Sequence, residues 1–328
     1  MSYLVLGSNS FAGSSFVNFL LNLDHRVIGI SRSKKPDDTL LAYSKHPKKS
    51  NFTFHQLDMN QDIDQIISCI QREKPTVIVD FAGQGMVAES WNKPEQWYQT
   101  NIVSKVKLHH FLCQCDFLDK YVRVSTPEVY GHTAHSVKEG APFAPSTPYA
   151  VSHAATDLSL LAFYRQYQFP VVLTRFANFY GPHQQLYRII PRTMIYALTG
   201  QRLLLHGGGT SKRAFIYGDD VAQGLEAVIQ KGRIGETYHF SAGNVISIAD
   251  LVKNICQLMQ VEYDGFVEIA PDRPSKDAQY IMDTQRAEDE LDWKPSMSLE
   301  MGLEKTMAWI KQDLIKIKAS PLEYIHKA

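Results

Sequence analysis

Through the first half of the chain, short apolar or β-branched runs alternate with longer stretches whose apolar residues recur every three or four positions. Residues 3–6, 26–30, 52–57, 76–81, 121–125 and 171–175 form the runs and predict strands. Residues 14–23, 63–72, 94–117 and 149–167 carry the helical spacing. Strand–helix alternation needs crossover connections, which are right-handed, and so predicts an α/β chain built on a doubly wound parallel sheet of the Rossmann type. Residues 32–50 break the pattern. Lys34, Lys35, Lys45, Lys48 and Lys49 sit there among Pro36, Pro47 and polar residues, which predicts a solvated loop over one sheet edge.

Beyond Asn178 the order becomes irregular. The sequence predicts a helix over 189–199, a glycine cluster at 207–209, a strand at 214–217, a helix at 220–229 and a strand at 237–241. Helices over 248–259 and 299–315 follow, with Pro271 and Pro274 marking a turn between them. The expectation is a sheet domain of residues 1–177, continued by about 213–243. A smaller C-terminal α/β lobe of 178–212 and 244–328 interleaves with it. No internal repeat or low-complexity tract is present.

Composition narrows the function. The chain has 328 residues, 44% hydrophobic and 21% charged, enough for a sizeable core and incompatible with global disorder. Its 34 Lys+Arg against 34 Asp+Glu argue against a nucleic-acid platform, which needs a basic excess. Cys69, Cys113, Cys115 and Cys256 fit no zinc spacing and read as free thiols of a reducing cytosol. No metal site is expected at the histidines, the His109-His110 pair included. The first residues lack a signal-peptide pattern, and no run approaches a membrane span. A cytoplasmic protein with no membrane partner is the expectation.

The chemistry gathers at strand ends. Gly7-Ser8-Asn9-Ser10-Phe11-Ala12-Gly13 follows the first strand and opens the first helix, the setting in which backbone N–H groups meet a pyrophosphate. An ordinary tight turn would look the same. Ser31-Arg32-Ser33 follows the second strand where an acidic residue would select NAD; a hydroxyl beside a guanidinium suits a 2′-phosphate, and NADP is preferred over NAD. Asp58, ending the third strand, is placed for the adenine region. Ser125-Thr126-Pro127-Glu128 ends the fifth strand, and Tyr149 to His153 start the next helix. A phenol, a hydroxyl and a carboxylate gathered there suit proton transfer coupled to oxidation of a sugar hydroxyl.

These segments resemble the extended short-chain dehydrogenase/reductase superfamily, and within it the epimerase/dehydratase family of nucleotide-sugar 4,6-dehydratases of dTDP-glucose and GDP-mannose type. VSTPEVYG (124–131), TPYAVSHAATD (147–157), QTNIVS (99–104), TRFANFYGP (174–182), RAFIYGDDVAQG (213–224), DRPSKD (272–277) and ELDWKP (290–295) look like family segments in family order. The resemblance implies that Thr126 bonds the sugar C4 oxygen, Tyr149 is the base for C4 oxidation, Glu128 removes the C5 proton and His153 completes the catalytic set. It implies a tightly held NADP or NAD contacted by Gly7, Asn9, Ser10, Phe11, Gly13, Ser31, Arg32, Asp58, Met59, Phe81, Ala82, Gly83, Asn101, Tyr149 and His153. It implies a nucleotide-diphosphate-sugar substrate contacted by Gln84, Ser90, Thr126, Glu128, Asn178, Arg192, Arg213 and Arg273, with residues 178–212 and 244–328 as the lobe that binds it. The helices over 94–117 and 149–167 match those that pair in a family homodimer.

Two departures stand out. Pro127 replaces an Asp of the glucose-type enzymes, as in the mannose-type branch, and leaves either Glu128 to act as base and then acid or a water to donate the proton. His153 replaces the family Lys. A mostly neutral imidazole there predicts turnover that is slow, shifted in pH or lost, and a Lys at 153 is expected to preserve or raise the rate. The alternatives are related C5 chemistry (epimerisation, decarboxylation or another dehydration) and a non-catalytic protein that binds a sugar nucleotide or dinucleotide.

Overall fold

The computed structural model describes residues 1–133, 135–243, 245–271 and 279–327. The first half runs β1 (Ser2–Leu6), α1 (Phe11–Asn22), β2 (Arg26–Ser31), β3 (Phe52–Gln56), α2 (Ile63–Glu73), β4 (Val77–Asp80), α3 (Pro94–Tyr98), α4 (Lys105–Leu112), β5 (Lys120–Ser125), β6 (Ser136–Val137), α5 (Pro148–Tyr167) and β7 (Val171–Phe176). The second half runs β8 (Asn178–Tyr180), α6 (Ile189–Thr199), β9 (Leu203–His206), β10 (Lys212–Tyr217), α7 (Gly218–Lys231), β11 (Thr237–Phe240), β12 (Val245–Ser247), α8 (Ile248–Met259), α9 (Tyr263–Phe266), β13 (Val267–Ala270), β14 (Ile281–Met282), α10 (Gln285–Leu291), α11 (Leu299–Gln312) and α12 (Leu314–Lys318).

Seven strands form one parallel sheet in the order β11-β7-β5-β4-β1-β2-β3. The order reverses direction on either side of β1, so the crevice between the β1 and β4 ends is the ligand position of a doubly wound sheet. Alternation along each strand divides the core. Tyr3, Val5, Val79, Val122 and Val172 face α1 and α7, while Leu4, Leu6, Ile78, Tyr121 and Leu173 face α2, α4 and α5. Both faces are covered, which is why the strands read as continuous apolar runs.

The smaller lobe packs α6, α8 and α11 around Ile190, Met194, Leu251, Ile255, Leu303 and Trp309. Its strands β12, β10 and β8 form a three-stranded sheet, β9 pairs β13, and β14 pairs β6. Asp220 of α7 ties the two parts: its carboxylate accepts from the Ser296 N–H and hydroxyl and the Met297 N–H, and its carbonyl accepts from Trp293 Nε1.

Two segments differ from the expectation. The helix expected over 94–117 contains a π turn at Gln99–Ser104 and ends at Leu112, where turns take over. Residues 32–50 are not a loop solvated throughout. Leu41 and Tyr43 are buried against Phe52 and the α1 face of the sheet, and the Tyr43 hydroxyl donates to Asn9 Oδ1. The lysines of the segment mask these two anchors in the sequence. Among the described residues no helix is long and apolar enough to cross a membrane.

Candidate active site

The turn after β1 is held from three sides. Gly7 has φ +79°, and a Cβ there would lie 2.8 Å from the Ala82 nitrogen, so only glycine lets the turn close onto the end of β4. A Cβ on Gly13 would collide with the Gly7 carbonyl. Ser10 caps α1 by accepting the Gly13 N–H at 3.0 Å, and Ser31 Oγ accepts the Asn9 N–H at 3.0 Å. Helix geometry leaves the Phe11 and Ala12 N–H groups without an intrahelical acceptor, so the turn presents donors and a positive dipole end to an anion. These features fit a pyrophosphate. Asp58 caps its own turn through Asn60 N–H, with Met59 buried beside it. Asn101, carried by the π turn, clamps the 81–84 backbone: its Oδ1 accepts the Gln84 N–H at 2.8 Å, and its Nδ2 donates to the Gln84 carbonyl and to Ser152.

At the end of β5, Thr126 caps the turn of Pro127–Tyr130 and accepts the Glu128 N–H at 3.3 Å. Thr147 caps α5 by accepting the Ala150 N–H, which sets Tyr149 in the first turn. The Tyr149 ring lies 4.5 Å from the His153 ring, and the Thr126 hydroxyl bonds the phenol. Burial, then the Glu128 charge, push the phenol up to about 12, against smaller opposing effects of Thr126, Arg188 and Arg123. The four catalytic candidates are therefore one cluster.

Beneath it lies a charged network that sequence reasoning missed. Asp80, Arg123 and Arg175 sit at the carboxyl ends of β4, β5 and β7 on the face covered by α4 and α5. Lys105 donates to Asp80 at 2.6 Å and to the Ala82 carbonyl, and Tyr121 donates to Asp80 at 2.8 Å. Arg175 and Ser125 both donate to Asp157 at 2.7 Å. Burial alone would raise the Asp80 carboxyl, yet Lys105 and Arg123 hold it below the ordinary range. Burial and the neighbouring Arg123 bring Lys105 down to about 8 against the pull of Asp80. The signal available in sequence was an acid or base at the end of three successive buried strands.

The substrate candidates form two groups. Gln84 and Ser90 are buried after β4, the Ser90 hydroxyl donating to the Val87 carbonyl. Asn178 Oδ1 accepts from the Tyr280 hydroxyl at 2.8 Å, and Arg213 lies over the Tyr280 ring. Tyr280 was not foreseen. Arg273 and the DRPSKD segment lie outside the described residues. The C-terminal segment bridges lobe and sheet. Arg192 donates to the Leu322 carbonyl and pairs with Glu323. Tyr324 packs on Tyr187, and His326 stacks on Trp97. The Lys327 carbonyl accepts from Gln84 at 2.7 Å and from Arg32 at 3.0 Å, and Lys327 Nζ reaches Ser33. His183 donates to or accepts from nothing in this cluster; its Nδ1 donates to the Thr39 carbonyl at 2.7 Å and its ring packs on Trp309.

A family model described as GDP-mannose 4,6 dehydratase matches residues 4–306. The trifunctional UDP-glucose 4,6-dehydratase/UDP-4-keto-6-deoxy-D-glucose 3,5-epimerase/UDP-4-keto-L-rhamnose-reductase of Arabidopsis thaliana is 29% identical over 320 residues, 94% of this chain and 47% of that protein. The chain thus spans about half the length of that relative. The crystal structure of a dTDP-glucose 4,6-dehydratase from Bacillus anthracis in complex with NAD superposes with a TM-score of 0.85, at 29% identity over 95% of this chain and 97% of that one. A UDP-glucuronic acid 4-epimerase from Bacillus cereus, in complex with UDP-glucuronic acid and NAD, gives 0.86 at 26% identity over 95% and 99%.

Proposed function

The chain belongs to the GDP-mannose 4,6 dehydratase family, and from that premise we propose that it is a nucleotide-diphosphate-sugar 4,6-dehydratase working with a nicotinamide dinucleotide. The observation that carries the reading is the cluster of Thr126, Glu128, Tyr149 and His153 at the ends of β5 and α5. Bound at the Gly7–Gly13 turn, with Ser31 and Arg32 toward its adenosine end, the dinucleotide supplies the acceptor for the C4 hydride and the donor for C6. Thr126 bonds the C4 oxygen, and Tyr149 as phenolate takes the C4 hydroxyl proton. The resulting C4 ketone acidifies C5, and Glu128 removes that proton. Glu128 then gives it to the departing C6 hydroxyl, since Pro127 brings no second acid, and one water leaves. After C6 is reduced, C5 takes back a proton equivalent to the one Tyr149 releases, so the product is a 4-keto-6-deoxy sugar with no net redox change.

Arg32 beside Ser31 supports NADP as the preferred form, while NAD is the form bound by the structural neighbours. Asn178, Arg213 and Arg273 are assigned to the substrate diphosphate and nucleotide. Val103, Val151 and Leu158, exposed on the π turn and α5, support a homodimer through these helices. Four free thiols suit a reducing cytoplasm.

Purified protein incubated with a panel of sugar nucleotides is expected to yield a product lacking one water and bearing a C6 methyl, read by mass spectrometry and NMR. Tyr149→Phe should slow this by about 10²–10⁴-fold while sparing ligand binding. Unchanged mass with an inverted centre would make it an epimerase, carbon dioxide release a decarboxylase, and saturable binding without turnover a binding protein.

A further inference from the structure

β5 carries a charge where the centre of a parallel sheet is ordinarily apolar. Arg123 is 1% exposed between Val122 and Val124, and a guanidinium buried there is costly unless its hydrogens find acceptors. Its hydrogens are unevenly shared. Nη1 reaches Asp80 at 3.2 Å, and Nη2 donates to His153 Nδ1 at 3.0 Å. Nε stays 3.8 Å from Asp157 and makes no hydrogen bond. A guanidinium placed only to neutralise Asp157 would meet it with a two-bond fork. This one is turned toward the imidazole, and Asp157 is left to Arg175 and Ser125.

The contact fixes the ring. A guanidinium has hydrogens and no acceptor, so Nδ1 must accept, and a neutral imidazole then carries its proton on Nε2. Burial, then the charges of Arg123, Lys105 and Arg175, hold the His153 pKa well below its ordinary value, so the ring stays neutral. Among the described residues its Nε2–H meets no acceptor, although the ring is only 8% exposed and packs on Tyr149. The charges below the pair do not cancel: Lys105, Arg123 and Arg175 face Asp80 and Asp157, three against two. Glu128 and Arg188 also act on the phenol, with opposite signs.

We propose that Arg123 is a positioning residue of the active site: it holds His153 as an Nε2–H donor for a ligand hydroxyl and supplies the fixed cation that stabilises the Tyr149 phenolate. The proposal rests on Tyr149 acting as the base. Loss of the phenol proton brings the buried sum of three cations, two carboxylates and one phenolate to zero, so the network works against the burial and the Glu128 charge that push the phenol up. This reverses the expectation for position 153. With Arg123 present, a Lys there sets an ammonium against a guanidinium and lowers the rate.

The first test needs no turnover. Long-range ¹⁵N–¹H spectra of histidine-labelled protein, assigned with His153→Gln, should show His153 as a single Nε2–H tautomer in the wild type and a mixture in Arg123→Met. An unchanged tautomer in Arg123→Met overturns the positioning role, whether or not any sugar nucleotide is converted. The second test is kinetic. Arg123→Met should lower kcat by about 10²-fold with little change in KM and move the rising limb of the pH–rate profile up by roughly one unit. His153→Lys added to Arg123→Met should restore most of both, because it returns one cation beside the phenol. Loss of rate with an unmoved limb and no rescue would make Arg123 structural only. Arg123→Gln keeps a donor without the charge and guards against misfolding: it should preserve the tautomer and still move the limb, and a wild-type limb would remove the charge from the proposal.

Discussion

α1 and α5 cover opposite faces of one sheet and are built inside out relative to each other. α1 turns Phe16, Val17, Leu20 and Leu21 inward and leaves Asn18 and Asn22 outside. α5 buries Ser152, His153, Thr156 and Asp157 and leaves Val151 37% and Leu158 57% exposed. α1 is held by apolar burial, about 1.5–3 kcal/mol for each large side chain. The first half of α5 is held by hydrogen bonds, among them Ser125 and Arg175 to Asp157 and Thr156 to the Asn101 carbonyl, while Leu160 anchors its second half in the apolar core. Buried ion pairs add little net stability over apolar packing. The inward polar face of α5 is therefore best explained by the chemistry above it, and its outward apolar face by contact with another surface.

The largest effect expected from this contrast comes from Asp157→Ala, which strands Arg175 and should destabilise by about 3–5 kcal/mol, as much as Phe16→Ala in α1. Urea midpoints check it, and a wild-type midpoint for Asp157→Ala would mean the polar face holds nothing. Next is acid. Burial drives His109 and His239, both on the charged side of the molecule, down to about 3. A histidine with a lowered folded pKa leaves the unfolded chain binding more protons below about 6.5, so stability falls as pH drops through 6.5 toward 3. At pH 5 each should cost about 2 kcal/mol relative to pH 7, and replacing His109 by Gln should flatten the melting-temperature slope by its share. A slope unchanged in that variant would place the acid sensitivity elsewhere. The smallest effect on the fold is Leu158→Glu, within about 0.5 kcal/mol as a surface change. It should nonetheless lower the mass seen by sedimentation, and an unaltered mass would leave the outer face of α5 without a second copy.

Much of this frame was legible. The runs and spacings located β1–β5, β7, α1, α2 and α5 because burial on both faces or one face leaves a periodic trace. The strand-end motifs pointed to Thr126, Glu128, Tyr149 and His153, which the fold sets side by side at the ends of β5 and α5. Arg123 was legible only as a charge inside the apolar run Val122-Arg123-Val124, and nothing local ties it to His153, 30 positions on. The π turn leaves no mark either, since Gln99–Ser104 differs from a helix only by one residue per turn, yet it is what points Asn101 at Gln84. Leu41 and Tyr43 were hidden by surrounding lysines, and Tyr280 by its distance in sequence from Asn178. The bridge formed by residues 322–327 depends on contacts across some 300 positions, which no local pattern encodes.

That bridge makes ligand affinity a matter of populations. The Lys327 carbonyl holds hydrogens of both Arg32 and Gln84, and a ligand that needed those same hydrogens would compete with the segment for them. If the segment is down about nine-tenths of the time, such a ligand binds about tenfold more weakly than its own contacts warrant. The coupling is reciprocal, so each ligand bound holds the segment away by the same factor.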